Sequence, residues 1–295
     1  MEKQLLTDKL VKAAVDLAEK DNQDWRKIPG FNISVTKKDT SNMSCFYTLS
    51  LALILQGEKI VDVGDTQYRY GTGSMIVTSV EIPTSFRIVK ASPEKPFVAM
   101  SIKLDAALLS EIMNEVQSTE RFRATEDSNA FCVAKTNFEI LDCFDRLVRL
   151  AGHPDDFPFV YPSLKRELHY YALTDAQCAN LRELCTNGLP NNRISKAVEW
   201  IKKHYKEPMR IRGLADMAFM ASSTFHTHFK RVTSLTPLQY QKRLRLHEAK
   251  RLMIFESFNA SQAAFEVGYE SVQQFSREYK RLFGQPPHKD VSQRS

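Results

Sequence analysis

The chain carries one short pattern twice, and few folds accommodate that. In Leu214-Ala-Asp-Met-Ala-Phe-Met-Ala-Ser-Ser-Thr-Phe-His-Thr-His-Phe-Lys-Arg231, Phe225 and Phe229 stand four apart. That spacing puts both rings on one face of a helix and leaves Ser223, His226, Thr227 and Lys230 on the other. The stretch Ala263 to Arg281 repeats the pattern about 50 residues later. Phe275 answers Phe225, Tyr279-Lys280-Arg281 answers Phe229-Lys230-Arg231, and Ala264 answers Ala215. The second turn is one residue longer, Glu270 to Gln274 against Ala221 to Thr224. A short helix, a tight break at Met220–Ser222 and a second helix with a polar outer face is the pattern of a helix-turn-helix. One copy would suit many helical hairpins; two copies point to DNA.

The segment between the copies runs from Thr236-Pro237 to Leu252 and is rich in Lys and Arg. Thr236 can cap a helix there, and Pro237 suits its first position. Charge follows the repeat. From Asn191 onward there are 19 Lys+Arg against 9 Asp+Glu, a net of +10, while the rest of the 295-residue chain has 22 against 26, a net of −4. A basic C-terminal part on a slightly acidic N-terminal one fits a DNA-binding half and a half with another task.

Two such units on one basic helix resemble the DNA-binding domain of the AraC/XylS family of bacterial transcription regulators. The residues that carry the resemblance are Leu214-Ala215, Tyr240, Arg245-Leu246, Ala249, Gly268-Tyr269, Phe275-Ser276, Phe283-Gly284 and Pro287. Many members end in Pro-x-x-Tyr-Arg, whereas here Pro287 is followed by His288, Lys289, Asp290 and Val291, so the final helix is expected to differ. The resemblance implies recognition helices at about 222–231 and 272–282 that enter successive major grooves. Ser223, His226 and Thr227 in the first, and Gln273, Ser276 and Arg277 in the second, are the candidate base contacts. Lys230, Arg231, Lys280 and Arg281, at the helix ends, are the candidate phosphate contacts.

The first half changes period. Residues 2–20 carry Leu6, Leu10, Ala13, Ala14, Leu17 and Ala18 at helical spacing. From Phe31 to Leu104, short runs of Val, Ile, Thr, Tyr and Phe alternate with Gly and Pro breaks, which predicts about seven strands. Val63-Gly64-Asp65-Thr66 reads as a hairpin turn. Helices are expected at Ala106–Val116, Asn137–Leu150, Ser163–Leu184 and Arg193–Lys206, with a break over Gly152 to Pro162. Asn187 to Asn192 reads as a linker. The fold expected is α+β in two domains: a β-sandwich or small barrel with a helical connector (1–186), the linker (187–192), and an all-α double helix-turn-helix (193–295).

Leu55-Gln56-Gly57, Tyr68-Arg69-Tyr70, Ala91 to Pro96 and Leu104-Asp105 also resemble the cupin-like jelly roll found in one branch of that family. The resemblance implies a small organic effector inside the β-domain; the connector helices are expected either to form a homodimer contact, as they often do in that family, or to serve as a lid on the barrel. It also implies contact with RNA polymerase if the protein activates. Cys45, Tyr47, Tyr68 and Tyr70 are the candidates to line the effector site. No histidine precedes His153, so the imidazoles that hold a metal in enzymatic cupins are missing from this stretch, and no cofactor is expected. That weighs against the rival arrangement, a cupin-type enzyme fused to a DNA-binding module. A fused DNA-repair alkyl acceptor would need a zinc-bound cysteine cluster, and five scattered cysteines do not suggest one. Cys178 and Cys185, two turns apart on the expected helix, lie outside disulfide reach. The charged start and the short apolar runs carry no leader and no membrane span, which makes a cytoplasmic protein the expectation.

Overall fold

The structure is a computed structural model, and it describes residues 2–19, 24–116 and 129–292. It opens with helix α1 (Glu2–Glu19); residue 20, where the sequence pattern would end that helix, lies outside the described residues. Among the described residues nine strands follow, eight of them in the stretch where about seven are expected: β1 (Phe31–Thr36), β2 (Met43–Tyr47), β3 (Ser50–Gln56), β4 (Glu58–Val63), β5 (Thr66–Gly71), β6 (Ser74–Thr78), β7 (Ile82–Val89), β8 (Phe97–Lys103) and, beyond helix α2 (Ala106–Val116), β9 (Phe131–Lys135). The extra strands come from dense Gly breaks that divide single apolar runs, and from β9, which lies among the helices in sequence.

The strands form two antiparallel sheets, β1-β8-β3-β6-β9 and β2-β7-β4-β5. Side chains alternate across a strand, so the five-stranded sheet is apolar on both faces. Leu51, Leu53, Leu55, Met75, Val98 and Met100 face a core shared with the helices. Ile54, Ile76 and Phe97 face the second sheet. This explains why Leu51 to Leu55 is a continuous apolar run. The Gly64-Asp65 turn joins β4 to β5, with Val63 opposite Thr66 and Gly64 at φ +59°.

The connector holds α3 (Phe138–Ala151), α4 (Phe157–Thr174) and α5 (Ala179–Cys185). Two expectations are corrected here. The stretch expected as one helix over Ser163–Leu184 breaks at Asp175, so Cys178 lies outside α4, at the N-cap of α5. Pro158 and Pro162 do not lie in a break but within α4: Pro158 sits at its start, where a missing N–H costs nothing, and Pro162 lies inside the helix.

Helix α6 (Pro190–Lys203) begins three residues earlier than expected, with Pro190 in its first turn, so half of the expected linker is helical. The first helix-turn-helix follows as α7 (Ile211–Met217) and α8 (Ser222–Thr233), the long helix as α9 (Pro237–Phe255), and the second unit as α10 (Ala260–Glu266) and α11 (Val272–Phe283). Helix α12 (Pro287–Ser292) ends the described chain. No described helix is long and apolar enough to cross a membrane.

Candidate DNA-binding face and effector cavity

In each repeat the aromatic rings fix which side of the recognition helix is left outside. Phe225 and Phe229 are fully buried, 5.5 Å apart, and Tyr240 of α9 meets Phe229 edge-on at 5.7 Å. Phe275 and Tyr279 do the same in the second unit at 5.6 Å, with Tyr269 against Phe275 at 5.4 Å. The connecting turns run over 218–221 in the first unit and 267–271 in the second, one residue longer as the sequence comparison indicates. Gly268 in the second turn has φ +87°, and a Cβ there would stand 2.4 Å from the Lys206 carbonyl, so only glycine fits.

The long helix is secured at its start by a capping box, in which Thr236 and Gln239 each bond the other's backbone N–H. Arg245 then binds both units to it. Its guanidinium donates to the carbonyls of Tyr205 at 2.6 Å and Lys206 at 3.0 Å, and to that of Gly268 at 2.7 Å. Arg245, one of the residues that carry the family resemblance, thus serves the frame that sets the two units relative to each other.

With the rings inward, Ser223, His226, Thr227 and Lys230 are exposed on α8, and Gln273, Arg277, Lys280 and Arg281 on α11. Ser276 is half-buried. Thr227 donates its hydroxyl to Ser223 O at 3.1 Å, which leaves its oxygen as an acceptor beyond the helix. Arg231 stands apart from the other three candidate phosphate contacts. It is half-buried, and its Nη2 lies 3.8 Å from Oε1 of Glu183 on connector helix α5.

Other links join the two halves. Tyr240 Oη donates to Glu81 O at 3.0 Å, and Lys202 pairs with the Glu81 carboxylate at 3.0 Å. Phe46, on the outward face of β2, packs edge-on against Tyr240 at 5.8 Å and His247 at 4.9 Å. The Gly64 turn approaches Ser234 just past the end of α8, where a Cβ on Gly64 would come within 2.5 Å.

Between the two sheets lies a cavity of about 270 Å³. The four-stranded sheet contributes Tyr47, Lys59, Tyr70 and Phe86, one from each strand. Of the four candidate lining residues, Tyr47 and Tyr70 reach the cavity. Cys45 and Tyr68 are not among its lining: the Cys45 thiol lies 3.3 Å from the Thr84 hydroxyl, and Tyr68 packs on Phe131 at 4.8 Å. Burial raises the Tyr47 and Tyr70 hydroxyls well above the usual phenol range, so both stay protonated and can donate.

Lys59 was not foreseen from the sequence. Its ammonium lies 3.8 Å from the Phe86 ring centre and 5.2 Å from that of Tyr47, and burial lowers it to about 8. A signal for it existed. The two-residue turn at Gly64-Asp65 sets Val63 opposite Thr66 and therefore Lys59 opposite Tyr70, on the same face as Val61 and Val63. Among the described residues, no group of three or more His, Cys, Asp or Glu is placed to hold a metal ion.

Comparison with known proteins agrees with this architecture. The family described as the AraC-type transcriptional regulator N-terminus matches residues 27–180, and a helix-turn-helix domain family matches residues 214–292. The transcriptional activator RhaS of Escherichia fergusonii is 30% identical over 95 residues, which are 32% of this chain and 34% of that protein. The transcriptional regulator AlkR of Acinetobacter baylyi is 35% identical over 99 residues, 34% of this chain and 32% of that protein. The chain thus matches about a third of the length of these two relatives. ToxT from Vibrio cholerae, solved bound to (E)-4-(8-methylnaphthalen-1-yl)but-3-enoic acid, superposes with a TM-score of 0.58 over 89% of this chain and 98% of its own, at 13% identity. Another ToxT structure, bound to unsaturated fatty acid, gives 0.58 over 88% and 94% at 12% identity. At such identities the likeness is one of fold. The N-terminal family covers more than half of the chain and the helix-turn-helix family follows it: the chain belongs to the AraC-type transcriptional regulators.

Proposed function

We propose that this protein binds double-stranded DNA at specific sites through α8 and α11, under the control of a small organic effector held between the two sheets. The observation that carries the reading is the pair of exposed polar faces on one helical frame. Ser223, His226 and Thr227 on α8, and Gln273, Ser276 and Arg277 on α11, contact base edges: His226 and Thr227 can hydrogen-bond, the Thr227 methyl suits thymine, Arg277 suits guanine and Gln273 adenine. Lys230, Lys280 and Arg281 hold phosphates, which sets register and affinity without reading sequence. Arg231 joins them only when its contact with Glu183 is released, so DNA and the connector compete for one guanidinium. The effector acts by shifting the balance between the docked and the DNA-engaged arrangement.

The β-domain works as a sensor and not as an enzyme. The ToxT structures with an organic acid and a fatty acid support the idea that a fold of this kind houses a small molecule. The connector helices form a homodimer contact, RNA polymerase is the further partner where the protein activates, and the protein acts in the cytoplasm. The domain division follows the same logic, with a sensor over residues 1–186 and the DNA-binding part from 193 onward.

The test is a band-shift titration of the full chain on genomic fragments over a range of salt. Tight binding to a few fragments, falling steeply with salt through counterion release, is expected. Binding to no fragment at low salt, with and without a metabolite extract, would overturn the reading.

A further inference from the structure

We propose that the cavity between the sheets is a site for a small organic anion, a single carboxylate on a compact apolar body, with Lys59 and Tyr47 as its anchors. The proposal deepens the effector reading above and rests on it for its regulatory meaning.

The first observation is a cation with no counter-ion among the described residues. Lys59 points between the sheets, and no described Asp or Glu lines the cavity. The acids next to it on β4 are engaged on the other face: Glu58 pairs with Arg69 and Lys90, and Asp62 accepts from Gln67 at 2.7 Å. Placement over Phe86 offsets part of the desolvation of the ammonium, since an aromatic face attracts a cation. A solvated position would still be better for the free protein, because burying an unpaired charge is among the costliest things a fold can do. A strand with Val at this position would fold with less strain, so the lysine needs a reason outside stability.

The second observation is independent of the first. The Tyr47 hydroxyl, on the neighbouring wall, is buried with no well-formed hydrogen-bond partner; the Tyr70 hydroxyl is the polar group beside it. Buried polar groups in native proteins nearly always find one. Lys59 and Tyr47 are both donors, so what completes them must accept twice, and it must carry negative charge to match the ammonium. One cation and one phenol suit a monoanion; a phosphate dianion would call for more positive charge or a fork of Arg donors.

The remaining walls define the rest of the ligand. Ile54, Ile76 and Phe97 present apolar surface opposite the anchors, and Ser50, Thr78 and Ser101 add hydroxyls for a substituent. The volume, about 270 Å³, equals roughly nine waters at liquid density, and it sits just under the usual small-molecule range of roughly 300–1,000 Å³. An aromatic or short branched acid fits that space; an extended long-chain acid does not.

The experiment is thermal melting and calorimetric binding on the full chain. The panel is benzoate, phenylacetate, 3-phenylpropionate and 1-naphthoate, their neutral amides, and oleate as the long-chain arm. At least one compact carboxylate should raise the melting temperature and bind at least tenfold tighter than its amide, and oleate should bind more weakly than that acid. Lys59→Met should erase the preference for acid over amide while the unliganded protein melts no lower than the parent. Tyr47→Phe, which keeps the ring, should weaken the acid about five- to tenfold and serves where Lys59→Met fails to fold. Amides binding as tightly as acids, or an acid preference that survives Lys59→Met, would overturn the anion site and leave an effector cavity of another specificity. No melting shift with any acid or amide of the panel would overturn the anion site too. Failure of a whole-metabolite extract to shift melting as well would overturn the effector reading with it.

Discussion

The Nη2 atom of Arg231, at the C-terminal end of the first recognition helix, lies 3.8 Å from Oε1 of Glu183 on the connector, whose side chain is fully buried. Glu183 also accepts from the backbone N–H of Asn191 at 3.2 Å, so one carboxylate touches the DNA-binding helix and the chain that leads into that domain. A buried acid holds its charge only while something compensates it. On the proposed role of Arg231, moving it to a phosphate would have a cost at Glu183, and that cost would couple DNA binding to domain docking.

Glu183→Gln removes the charge and keeps the shape. It should free Arg231 and tighten binding to a specific site about five- to tenfold, or roughly 1–1.4 kcal/mol. Arg231→Ala should lower stability by about 1–2 kcal/mol because it takes a cation from beside a buried acid, whereas Lys230→Ala, at an exposed position, should change stability by less than about 0.5 kcal/mol. Chemical denaturation of the three variants checks the stability order, and band shifts check the affinity. Unchanged affinity for Glu183→Gln would remove Glu183 from the control of DNA binding.

Gly64 offers a second handle on the same docking. Gly64→Ala places a methyl 2.5 Å from the Ser234 side chain and 2.6 Å from its carbonyl, on a backbone at φ +59°. Gly73 has φ +84° with nothing within 4 Å of a Cβ, so Gly73→Ala carries the backbone strain without the collision. Gly73→Ala should destabilise by about 1 kcal/mol from the backbone alone, and Gly64→Ala by more. Only Gly64→Ala should also loosen the two halves and raise DNA affinity. Equal DNA affinity in the two variants would separate the β4–β5 turn from regulation.

Two histidines, His169 buried and His247 half-buried, make stability depend on pH. His169 accepts from the Asp105 backbone N–H at 2.8 Å and meets Lys165 O at 2.7 Å with its other nitrogen, and burial holds it at about 4. His247 stands between Phe46 and Phe283, 4.9 and 5.1 Å away, and is also held at about 4, by burial first and then by Lys250 and Arg243. Both folded values lie below the ordinary value near 6.5. The unfolded chain therefore binds protons that the folded one refuses, and the two contributions are complete above about pH 6.5 and lost as pH falls toward 4. Urea unfolding at pH 7.5, 6 and 5 should show stability falling throughout, and His247→Phe should flatten that slope by about half. A slope unchanged in His247→Phe would mean that the ring does not titrate as its surroundings imply.

The repeat was the most legible part of the molecule because four-residue aromatic spacing and polar outer faces are local properties. The sequence placed Phe225, Phe229, Phe275 and Tyr279 inside, and the structure has them so. Recognition helices expected at 222–231 and 272–282 extend to Thr233 and Phe283. What local patterns could not supply was pairing. Strand β9 lies between α2 and α3 in sequence and joins the sheet at its edge, through β6. Lys59 resembled an ordinary surface lysine until the register set it opposite Tyr70. Arg231 looked equivalent to Arg281 by repeat position; its contact with Glu183 depends on where the whole domain docks. The start of α6 differs from the expectation because Pro190, inside the Gly- and Asn-rich stretch that reads as a linker, sits in the first turn of a helix.

Base reading and phosphate holding separate by substitution. His226→Ala and Thr227→Ala should each cost about 1–3 kcal/mol on the best site and little on random DNA. Lys280→Ala should weaken both alike and flatten the salt dependence. Competition band shifts with specific and random duplexes measure this. Equal losses on both duplexes for His226→Ala would mean that α8 does not present this face to bases.

Hydroxyl-radical footprinting on a fragment selected by the protein tests most directly whether both units read DNA. Two recognition helices held on α9, with Arg245 bonded to the chain before the first unit and to Gly268 in the second, should protect two successive major grooves on one face of the duplex. The centres of protection should lie about 10 bp apart, giving roughly 20 bp per chain. A single short protected groove per chain, unchanged by Gln273→Ala and Arg277→Ala, would contradict a DNA-binding surface built from both repeats.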